Sequence, residues 1–185
     1  MNLPTFLVLL AAAQPQPVPL PICRPVRVPK SRMISHVQCM DYQNGIYFRI
    51  PSSWKASPTL GGGQDVWYLS FTASDTAERT GLTLKRGGFD QAAADLGFFR
   101  DDSGWHIQGL GVFPAQFLDA ASWRGLRGEV QTKSGDPANV SGIIEVLRAF
   151  ATSTDGNLTL EVEPSGPESL DFILEHLTFL PARAP

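Results

Sequence analysis

Apolar and polar side chains alternate along several short segments of the chain, and this period of two predicts β-strands. The first predicted strand covers 46–50 and stops at Pro51, which cannot donate to a strand ladder. Two more strands are predicted at 67–73 and 82–84. The polar run 74–80 separates these two strands, so they are expected to form a hairpin.

Two segments carry apolar residues at the spacing of a helix. Over 89–100 they recur every three or four residues, and the polar stretch 101–104 ends the pattern. The second helix follows Ser165-Gly166-Pro167-Glu168, which has the pattern of a capping box with proline in the first turn. Its apolar face is predicted to contain Leu170, Ile173, Leu174 and Leu177.

Three later strands complete the pattern, at 120–133, 143–152 and 158–162. Asp155-Gly156 between the last two is a strong hairpin signal. Strictly alternating βαβ units are absent from the order of elements. The sequence therefore predicts one α+β domain over 37–181, with a mostly antiparallel sheet of about six strands covered by helices.

The beginning of the chain indicates export. An apolar run over 3–13 ends in small residues, which predicts a signal peptide at 1–13. A buried first strand or helix is the alternative. The run is shorter than the roughly 20 residues that a membrane-spanning helix needs, so no stable membrane insertion is expected. Residues 14–36 are predicted to be a Pro-rich extended leader, and the mature protein to be periplasmic or secreted.

Cys23 and Cys39 are the only two cysteines. In an oxidising compartment an even number of cysteines predicts a disulfide, here closing a loop of roughly 15 residues. Two free thiols are the alternative. No histidine pair lies in register with these cysteines, so no metal site is expected.

Length and charge restrict the class of protein. The chain has 185 residues, which is enough for one domain with a core of its own. Its net charge is −3 and 18% of its residues are charged, which argues against a general nucleic-acid binder and against a long coiled coil.

Several segments resemble the PsbP-like α/β/α sandwich family. They are Tyr47-Phe48-Arg49-Ile50-Pro51 followed by Trp54, the strand around Trp123-Arg124-Gly125, the long late hairpin, and the closing 169–174 with Leu177 and Phe179. The resemblance covers about 41–181. It implies an exported bacterial member of the family, with helices packed on the faces of a sheet and a role in binding rather than catalysis.

Sequence motifs of known enzymes are absent. The chain contains no G-x-S-x-G, H-E-x-x-H, C-x-x-C or P-loop motif. Gly61-Gly62-Gly63 is followed by Gln64-Asp65 and not by the lysine and hydroxyl residue of a phosphate-binding loop. The glycines are therefore interpreted as a flexible loop, and no cofactor is expected.

His106 is the best candidate for catalysis, because Asp101, Asp102 and Ser103 precede it in a predicted loop. A carboxylate there could orient the imidazole as a general base, which would make the protein a hydrolase. A solvated loop is the competing interpretation. A third use is recognition, since Asp101, Asp102 and Trp105 would together offer charge and an aromatic anchor to a protein partner.

Large aromatic residues outside the predicted core offer further candidates. Trp54 and Trp105 lie in predicted loops, where each either covers the edge of the core or forms a binding hot spot. Trp123, Arg124 and Arg127 form an aromatic and basic cluster on a predicted strand. The candidate interface therefore comprises Asp101, Asp102, Trp105, His106, Trp54, Trp123, Arg124 and Arg127.

These observations predict an exported, non-catalytic domain that binds and neutralises a partner protein in the periplasm, as an immunity protein does with a secreted toxin or effector. The alternative is an envelope accessory protein that holds a small ligand in an apolar pocket between sheet and helices. A hydrolase that uses His106 with Asp101 or Asp102 is the third hypothesis.

Overall fold

The computed structural model describes residues 20–29, 33–59, 65–74, 78–134 and 142–181. Within these residues the chain forms thirteen strands and two short helices. In chain order they are β1 (Ile22–Arg27), β2 (Ile34–Asp41), β3 (Ile46–Pro51), β4 (Trp54–Thr59), β5 (Asp65–Ala73), β6 (Arg79–Arg86), α1 (Phe89–Asp95), β7 (Phe98–Asp101), β8 (Gly104–Gln108), β9 (Val112–Asp119), β10 (Trp123–Ser134), β11 (Gly142–Ser153), β12 (Leu158–Glu163), α2 (Pro167–Glu175) and β13 (Thr178–Phe179).

The strands form two antiparallel sheets. The small sheet has the order β1-β2-β3-β13, and the large sheet has the order β4-β5-β6-β12-β11-β10-β9-β8-β7. The expected α+β fold, a single sheet of about six strands covered by helices as in an α/β/α sandwich, is therefore wrong. Two helices of seven and nine residues are too short to cover a nine-stranded sheet, and a second sheet covers part of it instead.

The missed strands explain the difference. Strand β9 includes Pro114, and β8 begins at Gly104, so neither shows the regular alternation that predicts a strand. The helix expected over 89–100 stops at Asp95, because Gly97 adopts a φ of 81° and the chain turns back into β7. Trp54 and Trp105 consequently lie in strands and not in the predicted loops.

The other expected strands are confirmed. Strands β3, β5 and β6 match the first three predictions, and β5 pairs with β6 as the expected hairpin. The hairpin β11–β12 turns at Asp155-Gly156, where Gly156 has a φ of 73°. The final helix is also confirmed, although Gly166 is its N-cap and the Ser169 Oγ accepts a hydrogen bond from the Gly166 N–H at 3.2 Å.

The small sheet includes part of the segment expected to be an extended leader. Strand β1 pairs with β2, so the paired strands begin before Val37. The predicted disulfide between Cys23 and Cys39 is confirmed, and it joins directly opposed positions of β1 and β2. The predicted signal peptide at 1–13 and the glycine loop at 61–63 lie outside the described residues.

Two hydrophobic cores lie on opposite faces of the large sheet. On the first face, the small sheet and α2 pack against β5, β6 and β12, and Phe48 contacts Trp67 and Phe71 with ring centroids 6.2 and 6.3 Å apart. On the second face, α1 packs over Leu126 and Phe150, which are opposed in the ladder of β10 and β11. The large sheet is thus the middle layer of the molecule.

Strands β10 and β11 form a long hairpin, paired at twelve positions from Trp123↔Ser153 to Ser134↔Gly142. Strand β9 pairs only with 124–128 of β10, and β12 pairs only with 149–152 of β11. The outer half of the hairpin, 129–134 with 142–148, has no flanking ladder among the described strands. We call this outer half the hairpin arm.

Candidate functional site

The turn between β7 and β8 brings three polar side chains together. Asp101 Oδ1 accepts hydrogen bonds from the Ser103 backbone N–H at 2.8 Å and from the Ser103 hydroxyl at 2.7 Å. His106 Nε2 lies 3.0 Å from the same carboxylate oxygen. These bonds hold the pKa of Asp101 below its usual range, with the Ser103 hydroxyl as the largest cause.

The arrangement of these three side chains differs from a catalytic relay. Both Ser103 Oγ, at 2.9 Å, and the Asp101 carboxylate contact the same imidazole nitrogen of His106. A relay needs the serine on one ring nitrogen and the carboxylate on the other, so that the base can accept the serine proton. The hydrogen bonds of Asp101 to Ser103 and His106 close the tight turn between β7 and β8. Asp102, the next residue in this turn, is exposed.

The opposite side of the β7–β8 hairpin carries Arg100 and Trp105, which are directly opposed in the ladder. The Arg100 guanidinium lies 6.0 Å from the centre of the Trp105 ring. The same indole contacts Phe89 of α1 edge to face, with centroids 5.5 Å apart. Trp105 therefore connects the hairpin to the second core, while its half-buried ring stays at the edge of that core.

Phe89 also contacts one residue of β10 and one residue of β9. The Arg124 guanidinium lies 5.1 Å from the centre of the Phe89 ring, and the Phe117 ring lies 6.0 Å from it. Phe117 is 45% exposed. Phe89 itself is 6% exposed and forms the buried base of this group. We call these five residues, Phe89, Arg100, Trp105, Phe117 and Arg124, the aromatic–arginine surface.

Arg100 and Arg124 have no carboxylate partner among the ion pairs of the described residues. Each guanidinium lies over a ring, so its N–H groups remain available for a ligand. Both arginines are exposed. The surface therefore combines apolar area with two oriented guanidinium groups that can donate hydrogen bonds to a carboxylate.

The remaining candidate residues do not join this surface. Trp123 is buried in the first core, where its Nε1–H donates to the Leu177 carbonyl at 3.1 Å. Trp54 packs on Phe71 with centroids 6.2 Å apart. Arg127 lies on the opposite face of the sheet from Arg124, where it pairs with Asp171 of α2. The expected interface thus divides into separate groups.

Arg127 lines a groove of about 360 Å³ between α2 and the large sheet. Its other lining residues come from β9, β10, β11 and α2, and they include Phe113, Pro114, Leu147 and Pro167. The Arg127 Nε–H donates to Gln116 at 2.7 Å. Asp171 and Gln116 already occupy the Arg127 guanidinium, and the exposed Glu129 carboxylate also lines the groove, while the rest of its wall is mainly apolar.

Three residues of the aromatic–arginine surface were not among the sequence candidates: Phe89, Arg100 and Phe117. Phe89 lies at a helical position that predicts core, and Phe117 lies in the missed strand β9. The sequence itself did contain a signal for the position of Arg127 relative to Arg124. Residues an odd number apart in a strand point to opposite faces, so the two arginines could not share one surface.

The pKa of His36, on β2, is lowered from its ordinary value of 6.5 by burial, then by the positive charges of Arg49 and His176. Its Nε2 is buried and has no hydrogen-bond partner among the described residues. We expect stability to be lost as the pH falls from 6.5 through the lower folded-state pKa, because the unfolded chain then binds more protons.

The measurement for His36 is the free energy of urea unfolding at several pH values above and below 6.5, in the protein and in His36→Gln. The loss of stability towards acid pH should be smaller in the variant. Since His106 and His176 are present in both proteins, the difference between the two curves reports His36 together with its interaction with His176. Identical curves would contradict the prediction.

Neither a metal site nor a membrane-spanning helix is found in the part of the chain that the structure describes. No three His, Cys, Asp or Glu side chains group as metal ligands there. No helix there is long and apolar enough to cross a bilayer. The disulfide agrees with the expected export, since disulfides persist in oxidising compartments.

No protein-family model matches this chain, and no curated protein matches it.

Proposed function

We propose that this protein is an exported binding domain that neutralises a partner protein by covering an acidic patch on it with the aromatic–arginine surface. Immunity to a secreted toxin or effector is the concrete form of this function. The observation that carries the proposal is the position of Arg100 and Arg124 over aromatic rings without a carboxylate partner in the described structure.

The composition of this surface supports the proposal. Tryptophan and arginine are enriched among the residues that contribute most to binding between proteins. An arginine held over a ring loses less conformational freedom when it pairs with a carboxylate, so more of the interaction energy is left for affinity. The half-exposed Phe117 ring adds apolar area beside both charges.

The outer side of the β7–β8 hairpin supports steering of the partner. His106 stacks on Phe99 at a centroid distance of 5.5 Å, and Asp101 holds the turn. These groups keep the hairpin in one conformation, which positions Arg100 and Trp105 on its other side. The acidic turn would repel an acidic partner from that side and so favour approach to the arginines.

Replacing Arg100 and Arg124 together by alanine is expected to weaken capture of the partner by at least about 100-fold, because each truncation of a hot spot costs about 2 kcal/mol or more. The measurement is a pull-down of the oxidised protein from the envelope fraction of its own organism, followed by titration of the captured protein. Trp105→Ala, a single truncation, should weaken capture by about 30-fold.

The matched control is Arg79→Ala with Arg86→Ala, which removes two exposed charges at the ends of β6. It should capture the partner as the unmodified protein does. Thermal unfolding of each variant shows whether the fold persists. Equal capture by the Arg100/Arg124 variant and by the control would refute the proposed function.

A second candidate function, binding of a small apolar ligand, is favoured by the groove beside α2. Leu147 lines this groove without belonging to the aromatic–arginine surface. Leu147→Trp would fill the groove, so it should abolish binding of such a ligand while capture of a protein partner is retained. The two functions are therefore separable by these variants.

A further inference from the structure

Strand β11 has a backbone edge that no other described strand covers. Its inner residues 149–152 pair with β12, whereas 142–147 pair with β10 alone. None of the turn and loop backbone hydrogen bonds in the described structure involves 142–147 either. The free edge of a strand presents N–H and C=O groups to which another strand can add. We call 142–147 the open edge.

The other edge of the hairpin arm is closed by the turn between β8 and β9. The Leu110 N–H donates to the Gln131 carbonyl at 2.9 Å. Gly109 packs so closely on β10 that a Cβ there would overlap the Val130 side chain and lie 2.6 Å from the Gln131 carbonyl oxygen. A further strand can therefore add to the arm on the β11 side but not on the β10 side.

The other outer strands of the described structure carry features that hinder strand addition. In the small sheet, β1 contains Pro25 and a bulge between Val26 and Arg27, and β13 has only two residues. In the large sheet, β4 contains Pro58 and β7 has only four residues. Proline, bulges and short length are the means by which proteins protect sheet edges. The open edge, Gly-Ile-Ile-Glu-Val-Leu, contains no proline, and its pairing with β10 has no bulge.

Exposed isoleucines lie along the open edge. Ile143 is 65% exposed and Ile144 is 46% exposed. Ile144 shares a face of the hairpin with Val146, which packs against the second core. A partner strand at the usual spacing of about 4.8 Å would place side chains beside both residues and extend that core outwards. Apolar partner residues are therefore favoured opposite Ile144 and Val146.

Glu145 is the one charged residue of the open edge, and its side chain is exposed. Its carboxylate accepts a long hydrogen bond of 3.4 Å from the Gln131 amide. Glu129 and Lys133 lie diagonally across from it on the same face, so their charges offset each other. No ion pair involves these three charged residues within the described structure. Opposite charges across two strands attract, so a basic partner residue is favoured opposite Glu145.

A second copy of this chain does not supply that basic residue. The open edge contains no lysine or arginine, so two open edges paired with each other would leave both Glu145 carboxylates without a cation. In a symmetric antiparallel pair centred on Glu145, the two carboxylates would be directly opposed, which destabilises the pairing. In a pair centred on Ile144, each carboxylate would face Ile143. The occupant that fits is therefore a different chain.

We propose that the open edge binds an extended segment of another protein that carries a basic residue between two apolar ones. The segment adds to β11 as a further strand. Its backbone hydrogen bonds supply affinity, and the pairing of its basic side chain with Glu145 fixes the register. The aromatic–arginine surface favours acidic groups, so the open edge is a second binding surface with the opposite charge preference. It does not rest on the proposed function.

The test uses two short peptides, Val-Thr-Val-Lys-Val-Thr-Val and the same sequence with glutamate in place of lysine. Both read the same in either direction, so they test parallel and antiparallel addition together. Each peptide is labelled with fluorescein, and its anisotropy is measured as the oxidised full chain is titrated in. The lysine peptide should bind about tenfold more tightly than the glutamate peptide, because attraction opposite Glu145 is replaced by repulsion.

Glu145→Lys should reverse this preference, which nonspecific adhesion of a peptide cannot do. The matched control, Glu175→Lys, makes the same change of charge at an exposed position of α2 and should keep the preference for the lysine peptide. Thermal unfolding of each variant monitors the fold. Absence of binding to the lysine peptide, or the same preference in Glu145→Lys as in the control, would overturn the proposal.

Methylation of the peptide's backbone nitrogens tests whether a strand is added. Alternate residues of a strand direct their N–H groups to the same neighbour. Methylation of one alternate set should therefore abolish binding, and methylation of the other should be tolerated. Tolerance of both sets would contradict strand addition.

Sedimentation tests the alternative occupant. A dimer of the unmodified protein that becomes monomeric in Ile144→Lys would show that a second copy covers the open edge, and the proposal would be wrong. The Arg100/Arg124 variant should bind the lysine peptide as the unmodified protein does. Failure of this inference is therefore distinguishable from failure of the proposed function.

Discussion

Replacing Asp41 by alanine is expected to lower the free energy of unfolding by about 4 kcal/mol. This buried carboxylate, at the end of β2, accepts four hydrogen bonds. Its Oδ2 accepts from the Trp67 Nε1–H at 2.7 Å and from the Asn44 side-chain amide at 2.6 Å. Its Oδ1 accepts from the backbone N–H groups of Gln43 and Asn44, each at 3.0 Å.

The expected loss of unfolding free energy in Asp41→Ala has two parts. Trp67 is fully buried between the two sheets, so its N–H would be left without an acceptor and without water, at a cost of about 1–3 kcal/mol. The turn between β2 and β3 would lose its charged acceptor, and hydrogen bonds to charged groups contribute about 1.5–3 kcal/mol. Urea unfolding followed by far-UV circular dichroism measures the change without depending on Trp67 fluorescence.

Asp41→Asn is the informative companion to the alanine variant. The side-chain carbonyl oxygen of the asparagine can still accept hydrogen bonds from the backbone N–H groups of the turn. Its NH₂ group, however, faces the Trp67 N–H as a second donor. We expect roughly half of the loss seen with alanine. If Asp41→Ala were as stable as the unmodified protein, the carboxylate would not be the acceptor that holds the two sheets together.

Gly125→Ala is expected to cost at least about 3 kcal/mol, because a side chain at this position of β10 has no space. A Cβ there would lie 2.0 Å from the Phe150 carbonyl oxygen and 3.2 Å from the Ala151 Cα. Both atoms belong to the backbone of the neighbouring strand β11, so no change of rotamer relieves the overlap. The ladder at the base of the long hairpin would have to separate.

Thermal unfolding gives the measurement for Gly125→Ala, with an expected decrease in Tm of roughly 10 °C for a domain of this size. The control is Gly142→Ala in β11, where a Cβ would meet nothing within 4 Å. That variant should unfold close to the unmodified protein. A Gly125 variant as stable as the Gly142 variant would show that β10 and β11 are further apart than the structure has them.

Local patterns predicted the strands whose side chains alternate strictly between a buried and an open face. Strand β3 alternates in this way, and the β11–β12 hairpin adds a turn sequence whose glycine needs a positive φ. Local pattern could not predict β7 as a strand. Phe98 and Phe99 are consecutive, and they complete the helical spacing of the preceding residues. Only pairing with β8 decides that they form a strand.

The order of strands in the large sheet was also beyond local pattern. Strand β9 pairs with β10 through Ala115–Asp119 and with β8 through Val112–Pro114, a change of partner that depends on where two other strands lie. The same holds for the aromatic–arginine surface. Trp105 and Arg124 were candidates because of their residue types, but the ring that joins them, Phe89, belongs to a helix that local spacing assigns only to the core.

The far end of the hairpin arm, 131–134 with 142–145, is the part of the long hairpin that can open before the cores do. Its amides are hydrogen-bonded within one hairpin, and apart from the Leu110 N–H donating to the Gln131 carbonyl, none of the turn and loop backbone bonds in the described structure ties it to a neighbour. Amide hydrogen exchange should therefore be fastest near 134 and 142 and slow progressively towards Trp123 and Ser153. The arm should fray progressively from this end, and the fraying should stop at Val130, which is 1% exposed and belongs to the second core.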